Sequence, residues 1–212
     1  MKPALLLIVT LAFVAMAPPQ LPQPSPSTPS MWAAKDSHEG FTVAADAYSD
    51  PARTKDKFAK ADPYKAGLLA VDVFLKNDTA YPVHVDLSTI RLDVDSPDGQ
   101  RLHLPMLTLD EAAKQIAHPR GPSLPLPRRL PSLGAPGEDG KARDVEAKLQ
   151  PLALQTDVVP PNGSTRGFVF FDVSSDFKVV PYASLYVPDV KSVASDNGMI
   201  YFEVPLAPKH PQ

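Results

Sequence analysis

The segment "GFVFFDV", residues 167 to 173, is apolar at nearly every position, and "GLLAVDVFLKN", residues 67 to 77, is much the same. Successive side chains of a β-strand point to opposite faces, so a half-buried strand alternates apolar with polar residues. These two segments do not alternate. In the earlier one, Leu69, Val71, Val73 and Leu75 share one face while Leu68, Ala70 and Phe74 share the other. In the later one, Phe168 and Phe170 lie opposite Val169, Phe171 and Val173. Each strand therefore needs apolar cover on both sides.

Punctuation divides the rest of the chain into short strands. "FTVAADAY" opens at Phe41, and 83 to 95 reads as two short strands or one bent one. Ser96-Pro97-Asp98-Gly99 makes a turn, so 90 to 104 is a hairpin candidate. "LALQTDVV", "YASLYV" and "MIYFEVPL" complete a set of about seven to nine strands. The predicted architecture is mainly β: an immunoglobulin-like antiparallel β-sandwich at 38–207, with a helical, Pro-rich insertion at 105–150. Thr108 and Glu111 form a capping box for a helix that presents Leu109, Ala112, Ala113 and Ile116 and ends before Pro119. A second helix carries Ala142, Val145 and Leu149 and stops at Pro151. Between them, 118–137 is rich in Pro and Leu, and its order is left open.

Only one face of a sandwich strand meets the opposite sheet. The insertion is the one spare apolar element, so one of its helices is expected on the outer face of the sheet holding both two-sided strands. Phe171, with Val169 and Val173, is assigned to that outer face.

The chain begins as an exported protein does. Lys2 precedes "ALLLIVTLAFVAMA", which ends in Ala15-Met16-Ala17, the charged, apolar and small-x-small regions of a signal peptide at 1–17. The run is short for a membrane span. Pro18 and Pro19 directly after the expected cut disfavour cleavage there, so retention as an anchor stays open. Residues 18–37 are a Pro-rich linker and 208–212 a loose tail. The expected location is periplasmic or extracellular. The absence of cysteine excludes disulfides, thiol chemistry and a lipid-modified cysteine anchor. A formal charge of −3, with scattered basic residues, points away from nucleic acid.

Motifs for chemistry fail on spacing. His38, His84, His103, His118 and His210 form no metal-binding pair, although His84 and His103 sit on predicted strands that can approach. Asp93, Asp95 and Asp98 resemble a calcium loop, but Pro97 and Leu104 occupy ligand positions. "GAPGEDGKA" departs from a P-loop in length and in Ala142. Ser164 lies in a turn with no base indicated, and Asp172 and Asp189 at strand ends can be imagined as a carboxylate pair with nothing to bring them together. Asn77-Asp78-Thr79 and Asn162-Gly163-Ser164 match the glycosylation pattern and are equally ordinary turns. No catalytic residue, cofactor or metal site is assigned.

Four stretches, "HEGFTVAADAY", "DPYKAGLLAVDVFLKNDTAYPV", "PPNGSTRGFVFFDV" and "MIYFEVPL", together resemble a group of uncharacterised exported bacterial proteins with an immunoglobulin-like β-sandwich. The resemblance covers residues 38 to 206 and is weakest in the insertion. It implies a fold and a location, and brings no activity or site residue. The resulting expectation is a non-enzymatic domain that binds or organises an envelope or extracellular partner. An envelope hydrolase and a chaperone-like protective domain are the alternatives. The partner and the oligomeric state are not specified.

Overall fold

The computed structural model describes residues 34–95, 99–119, 139–193, 198–199 and 201–207. The segments read as signal peptide and tail, most of the linker, the Pro-rich stretch from 120, Asp98 and His210 lie outside the described residues. The chain is mainly β. The described residues hold eleven strands and three α-helices.

The first sheet contains both two-sided strands. It runs β1 (Ala34–His38), β2 (Phe41–Tyr48), β3 (Leu68–Asn77), then β8 (Ser164–Asp172), all antiparallel. β1 takes up the end of the stretch read as linker. The second sheet contains β5 (Arg91–Asp95) and β6 (Arg101–Pro105), which form the expected hairpin, together with β9 (Ala183–Val187) and β11 (Phe202–Pro205). Its order is β11-β9-β5-β6. A third, small sheet joins β4 (Val83–Val85) to β7 (Val158–Val159) and β10 (Val190–Ser192). Of "LALQTDVV" only Val158 and Val159 form a strand, because the preceding residues are engaged differently, as described below.

The inward faces of the three sheets share one apolar core. Leu69, Val71, Val73 and Leu75 of β3 meet Leu92 and Val94 of β5, Leu185 of β9 and Val83 of β4. A second core lies on the opposite face of the first sheet. There Leu68, Ala70, Phe168 and Phe170 pack against helix α2 (Leu109–Ala117) and helix α3 (Gly140–Leu149) through Ala113, Ile116, Val145 and Leu149. The insertion therefore covers the outer face, as its stripes predict. The assignment of Phe171 to that face is corrected. Phe171, with Val169 and Val173, belongs to the core shared between the sheets, and Phe168 and Phe170 meet the helices. The pleat separates the two sets without saying which set faces which way.

The capping box is present: the Thr108 hydroxyl accepts from the Glu111 N–H, and Glu111 accepts from the Thr108 N–H at 2.9 Å. A third helix, α1 (Pro51–Phe58), was not expected. Asp50 caps it, Pro51 sits in its first turn where no backbone donor is needed, and Phe58 enters the second core 4.8 Å from the Phe168 ring.

After α3 the chain lies along the free edge of β8. Phe168 N–H donates to Leu152 O at 2.8 Å and Leu154 N–H to Phe168 O at 3.0 Å. A Cβ on Gly167 would stand 2.4 Å from Leu154 N, so only glycine admits this approach.

Candidate functional site

The second sheet obeys the alternation that β3 and β8 break. Leu92, Val94, Leu185, Phe202 and Val204 face inward. The opposite parity puts Arg91, Asp93 and Asp95 of β5, Ser184 and Tyr186 of β9, and Glu203 of β11 on the outer face. The described α-helices pack on the first sheet, and among the described residues no α-helix lies over this face.

The register builds a connected array. Asp93 stands opposite His103 on one side and Ser184 on the other, and Arg91 stands opposite Tyr186. Arg91 donates from Nε to Asp93 Oδ1 at 2.8 Å, and His103 Nδ1 lies 2.7 Å from the same oxygen. Asp93 is only 2% exposed. Burial pushes its carboxyl up, but the hydrogen bonds from Arg91 and His103 together outweigh it and hold Asp93 below the usual carboxylate range. The bond to Asp93 likewise raises the Arg91 guanidinium. That guanidinium lies 4.1 Å from the Tyr186 ring centre, and Tyr186 is 5.1 Å from Tyr201 at an interplanar angle of 32°. Tyr201 is 49% exposed. Arg101 donates to Asp95 at 2.7 Å and reaches Glu203 at 3.6 Å. The Arg91 guanidinium, the Tyr186 ring and the Tyr201 ring are thus stacked in a row across neighbouring strands, with Asp93 holding the arginine.

A concavity of about 840 Å³ lies between α1, residues 59–66 and the end of α2. Lys55, Lys60 and Lys65 alternate around it with Asp56 and Asp62. Asp62 is turned inward and accepts from the Tyr64 N–H at 3.1 Å. Ala59 adopts φ of 49°, in the region that favours glycine, where the chain leaves α1. The mixed signs leave no concentrated field for a charged ligand.

The residues singled out from sequence are distributed between separate places. His84 pairs with Asp157 at 3.5 Å, His103 with Asp93, and His118 with Asp139 at 2.6 Å, so His84 and His103 do not converge. His38 stacks on Phe202 at 3.9 Å and its Nε2 lies 3.3 Å from Tyr201 O. Asp93 and Asp95 each hold an arginine. Among the described residues no three His, Asp or Glu side chains group as metal ligands. Asp172 ends β8 and accepts from the Ser174 N–H at 2.9 Å, while Asp189 lies between β9 and β10. Ser164 starts β8 opposite Lys76. Asp93 has both a histidine and a serine as neighbours, but it stands between them. Ser184 is then two strands from His103, about 10 Å away and beyond the reach of the imidazole.

Asn77 is fully buried. Its Nδ2 donates to the carbonyls of Tyr81 at 2.7 Å and of Val159 and Pro160 at 3.1 Å, and its Oδ1 accepts from the Thr79 N–H at 2.9 Å. This side chain clamps two turns together, and its amide is turned away from any modifying enzyme.

Sequence reasoning passed over the Arg91, Tyr186 and Tyr201 cluster. Its signal was the strict alternation in "RLDVD" and "ASLYV", which puts charge and aromatic rings on the same parity. What places those residues side by side is the pairing of β5 with β9, ninety residues apart to within a few positions.

No family model matches the chain, and no curated protein matches it. A crystal structure of a functionally unknown protein from Listeria monocytogenes EGD-e is similar at a TM-score of 0.36 and 13% identity, covering 82% of this chain and 81% of that one. A likeness of that degree decides neither fold family nor function. No helix among the described residues is long and apolar enough to cross a membrane.

Proposed function

We propose that this chain is an exported, immunoglobulin-like binding domain that engages an envelope or extracellular component through the outer face of the β11-β9-β5-β6 sheet. The strand orders support the fold reading. β2-β3-β8 corresponds to strands A, B and E of an immunoglobulin sandwich, and β11-β9-β5-β6 to strands G, F, C and C′. The insertion then falls between C′ and E, over the outside of the A-B-E sheet.

The observation that carries the functional reading is the contrast between the two outer faces. One is sealed by α1, α2 and α3. The other carries no α-helix among the described residues and displays tyrosine and arginine, the residue types that dominate binding energy, already locked by neighbours. A hydrolase reading has less support, because the histidines hold separate aspartates in separate places. The signal-like start of the chain supports export.

Two experiments test the proposal. Fractionation of cells producing the tagged full chain should find it outside the cytoplasm; a wholly cytoplasmic protein would overturn export. Cross-linking in the native envelope should capture a component with the wild-type chain and lose it with the Tyr186→Ala, Tyr201→Ala double variant. Capture indifferent to those changes would move the site elsewhere.

A further inference from the structure

We infer that the edge of β6 accepts an added strand: an extended segment of a partner polypeptide, antiparallel to Arg101–Pro105, with alternate apolar side chains flanked by lysine or arginine. This edge is a separate surface from the outer face proposed above, and the inference does not rest on that reading.

Backbone hydrogen bonding is the first reason. β6 is the last strand of its sheet. Met106 N–H donates to Ile90 O at 3.1 Å. Alternation along the antiparallel ladder then makes Leu92–Leu104 and Val94–Leu102 hydrogen-bonded pairs. The N–H and C=O groups of Arg101 and His103 point the other way, off the sheet, and no backbone group among the described residues bonds them there. Pro105 adds a carbonyl and no N–H, which ends the row of donors. Such a row is a template for a further strand.

An apolar slot beside that edge is the second. It holds about 270 Å³ between β5, β6 and the turn after β8, and Val94, Leu102, Leu104, Val173 and Val179 line it. Leu102 is 48% exposed although it shares the parity of Leu104 and stands opposite the buried Val94. The sheet stops one strand short of covering it. In a strand added antiparallel, residues opposite Leu102 and Leu104 point into the slot, while residues opposite Arg101 and His103 carry the hydrogen bonds. The far wall is already in place: Val173 and Ser175 N–H both donate to Gly67 O, at 3.2 and 3.4 Å. Little order is therefore lost when a strand enters.

Charge selects the occupant. The slot is lined by two carboxylates, Asp172 and Asp176, and by no cationic side chain. A second copy of this chain, paired edge to edge about a two-fold axis, would bring both acidic rims to one seam. A lysine or arginine next to the apolar residues of a partner meets the rim with opposite sign.

The test follows the amide NMR signals of the full chain as a blocked peptide is added that alternates valine and threonine and carries lysine at both ends. The Arg101 and His103 amides should shift together, because both gain acceptors. With the valines in the slot, the threonines carry the bonds to β6. N-methylation of the threonine amides should therefore weaken binding about 10-fold or more, while N-methylation of the valine amides should change it far less. Both changes are in the peptide and leave the fold of the protein untouched. Glutamate in place of the terminal lysines should weaken binding, and Asp176→Asn, which keeps the oxygen that accepts from the Lys178 N–H, should narrow that difference. No shift at Arg101 and His103 with the peptide in excess, equal effects of the two methylations, or a preference for glutamate ends would each overturn the inference. A chain that sediments as a dimer without peptide, and as a monomer after Leu102→Lys, would give the edge to a second copy and overturn the partner segment.

Discussion

Phe170 and Phe171 are adjacent in the chain and are buried in two different cores. Phe170 packs with the helices and Phe171 between the sheets. Each is expected to destabilise the fold by about 3 to 5 kcal/mol when truncated to alanine. Replacement of residues 108–150 by a short linker should separate them. Phe171→Ala should keep its full effect in that shortened chain, and Phe170→Ala should lose most of its own. Urea denaturation of six proteins, the parent and the two alanine variants in each chain, measures this, and binding of an apolar dye should rise in the shortened chain. An unchanged Phe170 effect would mean that α2 and α3 do not cover it.

Asp46 and Asp72 stand directly opposite each other on β2 and β3, on the helix-covered face. Two facing carboxylates repel, and two arginines from elsewhere resolve the conflict. Arg53 of α1 holds Asp46, and Arg166 of β8 grips Asp72 with bonds of 3.0 and 2.7 Å. Asp72 is 1% exposed. Arg166→Met should therefore cost about 3 kcal/mol by leaving a buried charge without its partner. Adding Asp72→Leu to that variant should recover much of the loss. Chemical denaturation of both variants checks the order, and a double variant less stable than the single one would refute it.

Gly167→Ala should cost several kcal/mol, on the order of an overpacked core substitution, because the new methyl meets the backbone of Ala153 and Leu154. Backbone cannot yield as a side chain can. Hydrogen exchange should show faster exchange at the Leu154 and Phe168 amides, which bond across that contact. Unaltered protection would mean that residues 152–154 are not held against β8.

Asn77→Ala should cost about 2 kcal/mol, since it removes the donor shared by three carbonyls and the acceptor of the Thr79 N–H, although the Tyr81 and Pro160 carbonyls keep their bonds from Thr79 Oγ1 and Gly163 N. Asn77→Asp should do no better, because a carboxylate cannot donate to those carbonyls. Thermal melts test both, and mass spectrometry of the chain made in a glycosylating host should find Asn77 unmodified.

Asp93 supplies a pH dependence with a definite sign. Its folded pKa lies below the ordinary carboxylate value of about 3.9, so the unfolded chain binds its proton first. Its stabilising effect is complete above that ordinary value and is lost as pH falls through the depressed folded value. Asp93→Asn should cost about 2 kcal/mol at neutral pH and flatten the loss of stability below pH ~4. Urea midpoints followed from pH 2 to 7 decide it; parallel curves for the two proteins would remove Asp93 from the acid limb.

The residues themselves determined the local structure of this protein. Thr108 with Glu111 and Asp50 with Pro51 act within a few positions, and the pleat makes Phe170 and Phe171 face opposite ways in any register. The capping box and the hairpin were legible for that reason, and the helix at Pro51–Phe58 carried a readable start that was passed over. The need for apolar cover on both sides of β3 and β8 was legible too. Which side took the helices was not, because both faces of "GFVFFDV" are apolar and local chemistry does not distinguish them. Tertiary packing decided it: the chain after α3 closes over Gly167, which has the parity of Val169 and Phe171, and brings Leu154 into the core between the sheets, while Phe168 and Phe170 meet the helices. The open array of Arg91, Asp93, His103, Tyr186 and Tyr201 was also the work of tertiary structure. Its members come from three strands and the residue before β11, spread over more than a hundred residues, and strand pairing at that separation depends on the whole core forming at once.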